Sequence, residues 1–389
     1  MSPATIPSPH DGAPRLTEVQ RLPTNGARAV EPFSRDGMLY LAIPQLAYDI
    51  AGQPAAITGG DSDTVLTIYR WHDGLFIEHQ KLPVPGGEDA EFFEIGDRAF
   101  LATASLRSGA GPYRMKVESV LYEWVDGRFT PFQKFETVAA KQWRHFRIGE
   151  RHFLALAQGA LPPGKDPADN LPSRIFEWNG IRFDLLQEIE SAWGYNWAFS
   201  QVGGHDLLAY ADHVTPSLLL RWNGSQFEEF QRLEGATGRA FSFFRARGHT
   251  WLAFACLHAN STLYRWEDGR FVVHQLLSGP GGREFAWLPA GGDLDGGLLV
   301  QANFILGTRE APLPQMDSLV HAFRGDLLTL ASRFPTTGGA DVSQFEVADV
   351  TYLAVANALS PQVRFRTDSV IYRVDGVTLR NATSPAIGQ

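Results

Sequence analysis

Acidic, basic and aromatic side chains recur in this sequence at or near the start of one kind of repeated strand-like segment. If these segments converge on a common axis, carboxylates and arginines from different segments would form a pocket that binds a polar ligand or supports acid–base chemistry. The alternative is that they pair with one another and with water. The candidate ligand-binding residues are Glu31, Asp89, Glu91, Arg144, His145, Tyr195, Trp197, Arg239, Arg283, Glu284 and Asp341. Trp197 would stack on a ligand or be buried.

Known catalytic signatures are absent from the sequence. It contains no nucleophile elbow, no phosphate-binding glycine loop and no zinc-binding histidine pair. Asp212 and His213 are adjacent and could contribute to a metal or catalytic site. The single cysteine, Cys256, lies in the apolar run WLAFACL, which indicates a buried structural thiol. We therefore expect no metal and no cofactor, and the catalytic residues stay unassigned.

The elements that must position these residues are repeated β-hairpins. Each hairpin has a strand ending in Trp, an Asp-Gly or Asn-Gly turn, and a second strand that opens with Phe or contains it early and carries Gln. Glycine accepts the positive φ angle that such turns demand. The five clear copies are IYRWHDGLFIEHQKL (68–82), LYEWVDGRFTPFQKF (121–135), IFEWNGIRFDLLQEI (175–189), LLRWNGSQFEEFQRL (219–233) and LYRWEDGRFVVHQLL (263–277).

A second hairpin recurs between these copies, again as two short strands around a turn that usually contains glycine. Two hairpins make a four-stranded unit, and a unit of roughly 40 to 50 residues is typical of a propeller blade. The copies are EFFEIGDRAFLATA (91–104), RHFRIGERHFLALA (144–157), SFFRARGHTWLAFA (242–255) and SQFEVADVTYLAVA (343–356).

The number of Trp-type strands predicts the number of blades. The strand occurs seven times, at Tyr69, Tyr122, Phe176, Leu220, Tyr264, His321 and Tyr372. The last copy lacks its Gln strand, which appears instead near the N-terminus as RLTEVQRL (15–22), with Gln20 at the matching position. We therefore predict an all-β, seven-bladed propeller of four-stranded blades in which the N-terminal strand completes the last blade, removing an exposed sheet edge. The propeller would span 15–380, between a flexible segment 1–14 and a tail 381–389.

The combined motif, S-x-L-Y-x-W-x-x-G-x-F-x-x-x-Q followed by F-x-I-G-x-x-x-F-L-A-x-A, resembles the epilepsy-associated repeat, also called EAR or EPTP. The resemblance is strongest from about 66 to 277 and weaker in the sixth and seventh units, where LVHAFRGD lacks the Trp. It implies a seven-bladed propeller that recognises proteins, usually outside the cell. The matching residues build blades, so the resemblance does not identify a partner.

Long loops are predicted on one face of this propeller. With the strands of each blade lettered A to D from the axis outward, the D-to-A and B-to-C connections lie on the same face. Loops of this length in a compact fold tend to be functional, and these would wall a cup over the central channel. They are 44–63, 105–117, 158–170, 303–317 and 357–368.

Composition limits the function further. The net charge of -9 argues against nucleic acid as a partner, and no apolar run approaches the length of a membrane span. The start of the sequence has no signal-peptide pattern, so we expect a cytoplasmic monomer. We predict a binding propeller that takes a small molecule or a protein at its loop-rich face. The alternative is a cytoplasmic enzyme, a lyase, cyclase or hydrolase of a small metabolite, with its active site in the cup.

Overall fold

Seven antiparallel sheets of four strands each are formed by the repeated hairpins. A computed structural model of the protein describes residues 14–160, 170–233, 237–277, 279–289 and 297–375. The predicted terminal segments 1–14 and 381–389 lie outside the described residues, apart from Pro14. Within the described ranges there is no helix long and apolar enough to span a membrane.

Blades 1 to 4 follow one another along the chain. Blade 1 contains β2 (Glu31–Arg35), β3 (Met38–Ile43), β4 (Val65–His72) and β5 (Leu75–Pro83); blade 2 contains β6 (Gly87–Ile95), β7 (Arg98–Ser105), β8 (Lys116–Val125) and β9 (Arg128–Val138). Blade 3 contains β10 (Gln142–Ile148), β11 (Arg151–Ala157), β12 (Ser173–Trp178) and β13 (Phe183–Ile189); blade 4 contains β14 (Gly194–Val202), β15 (His205–Asp212), β16 (Ser217–Trp222) and β17 (Phe227–Leu233).

Blades 5 to 7 complete the ring. Blade 5 contains β18 (Gly238–Ala246), β19 (His249–Cys256), β20 (Thr262–Glu267) and β21 (Arg270–Leu276). Blade 6 contains β22 (Gly282–Leu288), β23 (Leu298–Asn303), β26 (Gln315–Arg324) and β27 (Leu327–Thr337), with the small hairpin β24 (Leu306–Gly307) and β25 (Pro312–Leu313) in its B-to-C loop. Blade 7 contains β28 (Gly339–Val347), β29 (Val350–Asn357), β30 (Arg366–Asp375) and, from the N-terminus, β1 (Arg15–Asn25).

The ring closes as predicted. Strand β1 pairs antiparallel with β30, so the N-terminal strand is the outermost strand of blade 7. The innermost strand of each blade contacts the innermost strands of both neighbours, and β28 of blade 7 contacts β2 of blade 1. The all-β, seven-bladed architecture and the closure are confirmed.

Aromatic side chains fill the spaces between blades. The marker tryptophan of one blade packs against a ring on the B strand of the preceding blade: Trp124 on Tyr40, with ring centroids 5.2 Å apart, and Trp222 on Phe153, also at 5.2 Å. Each such ring removes apolar surface from water, which stabilises by roughly 1.5 to 3 kcal/mol for a fully buried side chain. The repeated Trp and Phe residues therefore serve the inter-blade core.

The repeated glutamine connects neighbouring blades. Both bonds are made with the main chain of the first or second residue of the next blade's D strand. The side-chain amide of the glutamine donates to the carbonyl of that residue, and the side-chain carbonyl accepts from its N–H. The pairs are Gln20 with Phe76, Gln80 with Phe129, Gln133 with Phe183, Gln187 with Phe227, Gln231 with Phe271, and Gln275 with Leu328. Ser332 takes the glutamine position of blade 6. The motif's Gln and Phe are thus two halves of one contact.

Candidate functional site

A β-bulge at the start of five inner strands places one residue of each at the mouth of the central channel. The register shifts between Gly87 and Asp89, and at the matching places in blades 4, 5, 6 and 7. A bulge leaves one extra residue unpaired and re-aims its side chain. The residues inside the five bulges are Glu88, Tyr195, Arg239, Arg283 and Ala340.

Glycine precedes each of these bulge residues because the chain passes very close to a neighbour. A Cβ atom on Gly238 would lie 2.7 Å from the ring of Phe254, and one on Gly282 would lie 2.5 Å from the Ser261 hydroxyl. Real Cβ atoms do not approach other atoms so closely. The glycine therefore permits the tight packing that positions the residue after it.

Six residues form what we call the mouth ring: Arg28, Glu88, Lys141, Tyr195, Arg239 and Arg283. They line two cavities at once. Below them lies the channel, a cavity with a volume of about 160 Å³. Above them a cup of about 1110 Å³ opens between the loops. The mouth ring is thus the floor of the cup.

The B-to-C loops supply much of the cup's wall. Lining residues come from the loops of blades 1, 2, 3 and 6, among them Ile57, Leu106, Leu171 and Phe304. Residues 161–169 of the blade 3 loop lie outside the described part of the chain. The blade 7 loop, which was expected to join the wall, packs against the blade 1 loop instead: Phe365 is buried and its N–H donates to Asp49 Oδ1 at 3.2 Å.

Charge in the cup is strongly one-sided. Its described lining contains seven Lys or Arg side chains and one carboxylate, although the whole protein carries a net charge of -9. Some of the cations are used by the wall itself: Arg107 donates to Ser62 Oγ and to two main-chain carbonyls, and Lys116 pairs with Glu136. Others have unused donors. Arg239 is 7% exposed, and its Nε and Nη1 atoms have no hydrogen-bond partner.

Glu88 is the carboxylate on the cup floor. Its oxygens lie 3.1 Å from Lys141 Nζ, 3.6 Å from Arg283 Nη2 and 3.8 Å from Arg28 Nε. Burial opposes ionisation of this carboxyl, but the three cations outweigh it and lower its pKa to about 2. Glu88 therefore stays charged, and its one negative charge is shared among three cations.

Tyr195 stands among the remaining cations of the floor. The Cζ atoms of Arg239 and Arg283 lie 3.9 Å and 5.2 Å from its ring centroid, and Lys141 Nζ lies 5.2 Å away. Burial of the phenol would raise its pKa, but the positive charges prevail and lower it to about 8. Tyr195 can thus lose its proton close to neutral pH.

Carboxyl groups dominate the channel below the mouth ring. Asp89 Oδ2 accepts from the Trp143 N–H at 2.8 Å, and Asp341 Oδ2 accepts from the Val30 N–H at 2.8 Å, so each holds the inner strand of the next blade. Burial, followed by the neighbouring Glu91, raises the pKa of Asp89 to about 8. Burial likewise raises the pKa values of Glu31, Glu91, Glu284 and Asp341, that of Glu284 to about 8.

Arginine meets one of these acids directly. Arg144 Nη1 lies 3.1 Å from Glu91 Oε2, and Glu91 Oε1 also accepts from the His145 N–H at 2.9 Å. Glu31 Oε1 similarly accepts from the Phe92 N–H at 3.1 Å. The Arg144–Glu91 pair joins two of the candidate residues to each other, whereas Asp89, Glu31 and Asp341 accept from main-chain N–H groups of the next blade.

Nine of the eleven candidate residues line the channel: Glu31, Asp89, Glu91, Arg144, Tyr195, Arg239, Arg283, Glu284 and Asp341. Trp197 and His145 do not, because side chains alternate along a strand and theirs point between blades. Trp197 is fully buried, with its ring 4.2 Å from that of Tyr210. His145 stacks on Phe93 at 4.2 Å and contacts His152. Trp197 and His145 therefore do not meet the other nine candidates at the channel.

Sequence reasoning missed three members of the mouth ring: Arg28, Glu88 and Lys141. The position after a strand-opening glycine would have identified Glu88, as it identifies Tyr195, Arg239 and Arg283. Arg28 and Lys141 follow alanines, so no such signal marks them.

Asp212 and His213 have separate environments. The Asp212 carboxylate is fully buried and accepts four main-chain N–H bonds, from Ala192, Trp193, Val214 and Thr215, so it holds two loops together. His213 lines the cup, and burial lowers its pKa to about 3. Cys256 is 4% exposed. In the part of the chain that the structure describes, no group of three or more His, Cys, Asp or Glu residues is arranged to hold a metal ion.

Fold and site together define a seven-bladed propeller with a cavity at one end of its axis. A crystal structure of BBS1N in complex with ARL6DN, soaked with mercury, has the same overall fold, with a TM-score of 0.57 at 13% identity over 94% of this chain and 98% of that one. The EPTP domain matches residues 15–72, 75–125, 128–179 and 226–267. This chain belongs to the EPTP, or EAR repeat, family.

Curated relatives carry the same repeat. The human thrombospondin-type laminin G domain and EAR repeat-containing protein is 28% identical over 180 residues, 45% of this chain and 25% of that protein. Its mouse counterpart is 31% identical over 150 residues, 37% of this chain and 21% of that protein. The matches thus cover about a quarter or less of these relatives' own length.

Proposed function

We propose that this protein is a binding propeller whose cup is the ligand site. The observation that carries the proposal is the cup itself, a cavity of about 1110 Å³ that opens above the mouth ring. Small-molecule sites are concave, about 300 to 1,000 Å³ in volume, and combine apolar walls with a few polar groups. This cup has both parts.

The apolar part of the cup lies in its walls. Leu106, Met115, Trp193, Leu306 and Phe304 face the cavity, and each is partly exposed to it or to solvent. Apolar surface in a recessed cavity favours a ligand with an apolar body, because binding removes both surfaces from water. We propose a small organic molecule as the ligand, since a protein interface would bury a broader and flatter surface.

Cavity-filling variants test this proposal. Leu106→Trp and Leu306→Trp add bulk inside the cup, whereas Val273→Trp adds the same bulk on an outer strand where Val273 is 61% exposed. The probe is phenylnaphthylamine, a neutral apolar fluorophore. We expect the wild type and Val273→Trp to bind it and both cup variants to lose binding, with thermal unfolding showing that all four proteins are folded. Equal binding by all four would overturn the proposal, as would co-purification with a protein partner that the cup variants retain.

A second candidate function is supported by Tyr195. A tyrosine that ionises near neutral pH beside Arg239 and Lys141 could accept a proton from a carbon next to a carboxylate that the cations neutralise. Among the enzyme classes considered, this arrangement favours a lyase. The test is the fate of a small molecule that co-purifies from the host. Conversion by the wild type but not by Tyr195→Phe would establish catalysis, and an unchanged molecule bound by both would exclude it.

A further inference from the structure

We propose that the cup floor is an oxyanion-binding site, so that the ligand carries a carboxylate, sulfate or phosphate group attached to its apolar body. This inference rests on the proposed function, because it assigns the chemistry of the same site. Four cationic side chains of the mouth ring and one of its neighbours carry the argument: Arg28, Lys141, Arg239, Arg283 and Trp193.

Unsatisfied donors are the first observation. Two N–H groups of Arg239 have no hydrogen-bond partner, although the residue is 7% exposed. The indole Nε1 of Trp193 is likewise buried without a hydrogen-bond partner, and so is the Nε of Arg28, which lies 3.8 Å from a Glu88 oxygen; both residues line the cup. Buried polar groups without partners are rare, because each has lost its hydrogen bonds to water without gaining others. An acceptor in the cup would satisfy several of them at once.

Uncompensated charge is the second observation. Glu88 is engaged by Lys141, Arg28 and Arg283, and no carboxylate of the described residues lies within 4.0 Å of Arg239. Burying a charge is costly unless it is paired. A bound anion would provide the missing pair, and Arg239 offers it a planar fork of donors.

Apposition of the cations is the third observation. Arg239, Arg283 and Lys141 all lie within 5.2 Å of the centroid of the Tyr195 ring, so their charges converge on one part of the floor. The cup's seven basic side chains would also concentrate anions there, despite the protein's net negative charge. A single oxyanion is therefore the ligand group that the floor fits.

Two fluorophores that share one apolar body separate this inference from the proposed function. Anilinonaphthalene sulfonate carries an oxyanion, and phenylnaphthylamine is the same body without it. We expect the wild type to bind the sulfonate about tenfold or more tightly than the neutral probe, as hydrogen bonds to charged groups would give. Arg239→Met should remove this preference and retain the neutral probe. Arg245→Met, which removes an exposed charge from the same strand, should behave as the wild type.

Inorganic anions give an independent readout that does not need the apolar walls. At an ionic strength matched with chloride, sulfate or phosphate should raise the melting temperature of the wild type and of Arg245→Met, but not that of Arg239→Met. Arg239→Lys, which keeps the charge and loses the fork, should show a smaller rise. The rises in melting temperature produced by naphthoate, naphthyl phosphate and naphthalene sulfonate then show which of the three oxyanions is preferred.

The outcomes are distinguishable. A neutral probe that binds while the sulfonate binds no more tightly, together with no anion-specific rise in melting temperature, would overturn the oxyanion site and leave the proposed function standing. An anion-specific rise that depends on Arg239, without binding of the neutral probe, would support the oxyanion site and contradict the apolar part of the proposed function. Equal effects of Arg239→Met and Arg245→Met would mean that anion binding depends only on the overall positive charge and not on a site at Arg239. That outcome would overturn the inference.

Discussion

The guanidinium of Arg239 lies over the ring of Tyr195, with Cζ 3.9 Å from the ring centroid. The two residues occupy bulge positions in adjacent blades, 4 and 5, so the contact spans the boundary between two sheets. A phenolate and a guanidinium attract each other most strongly where water is scarce. The charge state of the cup floor is therefore tied to the protonation of one tyrosine.

Replacing Tyr195 by Phe should remove a pH dependence of stability. The pKa of Tyr195 is about 8 in the folded protein and 10.0 ordinarily, so the folded state releases its proton first. The wild type should therefore gain stability as pH rises from 8 to 10, by at most about 2 kcal/mol, and this gain is absent below pH 8. Urea unfolding at both pH values measures it. Tyr48→Phe is the control, and a gain retained by Tyr195→Phe would contradict the assignment.

Asp89→Asn should stabilise the protein at high pH. Burial raises the pKa of Asp89 from 3.8 to about 8, so between these values the folded state holds a proton that the unfolded state has lost. Stability of the wild type should fall as pH rises through that range. Asparagine stays neutral and can still accept from the Trp143 N–H. We expect Asp89→Asn to exceed the wild type in free energy of unfolding at pH 8 and to match it near pH 4, while Asp97→Asn, at an exposed position, changes neither.

Gln231→Ala should weaken the contact between blades 4 and 5. It removes two hydrogen bonds to Phe271 and leaves the main-chain N–H and carbonyl of that residue unpaired in a partly buried place. The expected loss is about 1 to 3 kcal/mol in the free energy of unfolding, measured by urea denaturation. Gln226→Ala, at an exposed turn position five residues before Gln231, should change it by less than about 0.5 kcal/mol. Similar values for both variants would refute a blade-connecting role.

Alanine substitutions of Trp197 and Trp193 should affect different properties, the first mainly the free energy of unfolding and the second mainly ligand binding. Trp197→Ala empties a fully buried site and should cost about 3 to 5 kcal/mol in the free energy of unfolding. Trp193→Ala removes part of the cup wall, so it should cost less and weaken binding of phenylnaphthylamine. Unfolding curves and probe titrations of both variants check the pair. Loss of binding in a folded Trp197→Ala protein with no loss in Trp193→Ala would reverse the assignment.

Several candidate site residues were predicted because their positions near the inner strands are visible in the repeat. The blade alignment predicts that Arg239, Arg283 and Tyr195 lie near the axis. In the structure, the Cζ atoms of Arg239 and Arg283 lie 3.9 Å and 5.2 Å from the centroid of the Tyr195 ring. Trp197 and His145 were misplaced because alignment assigns a strand but does not set which of two faces a side chain takes. The cytoplasmic location and the monomeric state stay predictions.

The sequence by itself determined the strands, their turns, the number of blades and the closure by β1. These features depend on local patterns: apolar alternation, Asp-Gly and Asn-Gly turns, and a Gln and Phe that recur in each unit. Only the tertiary structure decided which inner-strand residues face the axis. A bulge adds one residue and shifts the alternation, and the glycine before it is required by atoms outside its own strand, such as Phe254 on the next strand for Gly238 and Ser261 of the preceding blade for Gly282. The mouth ring of Arg28, Glu88 and Lys141 with Tyr195, Arg239 and Arg283 therefore exists only once seven blades meet.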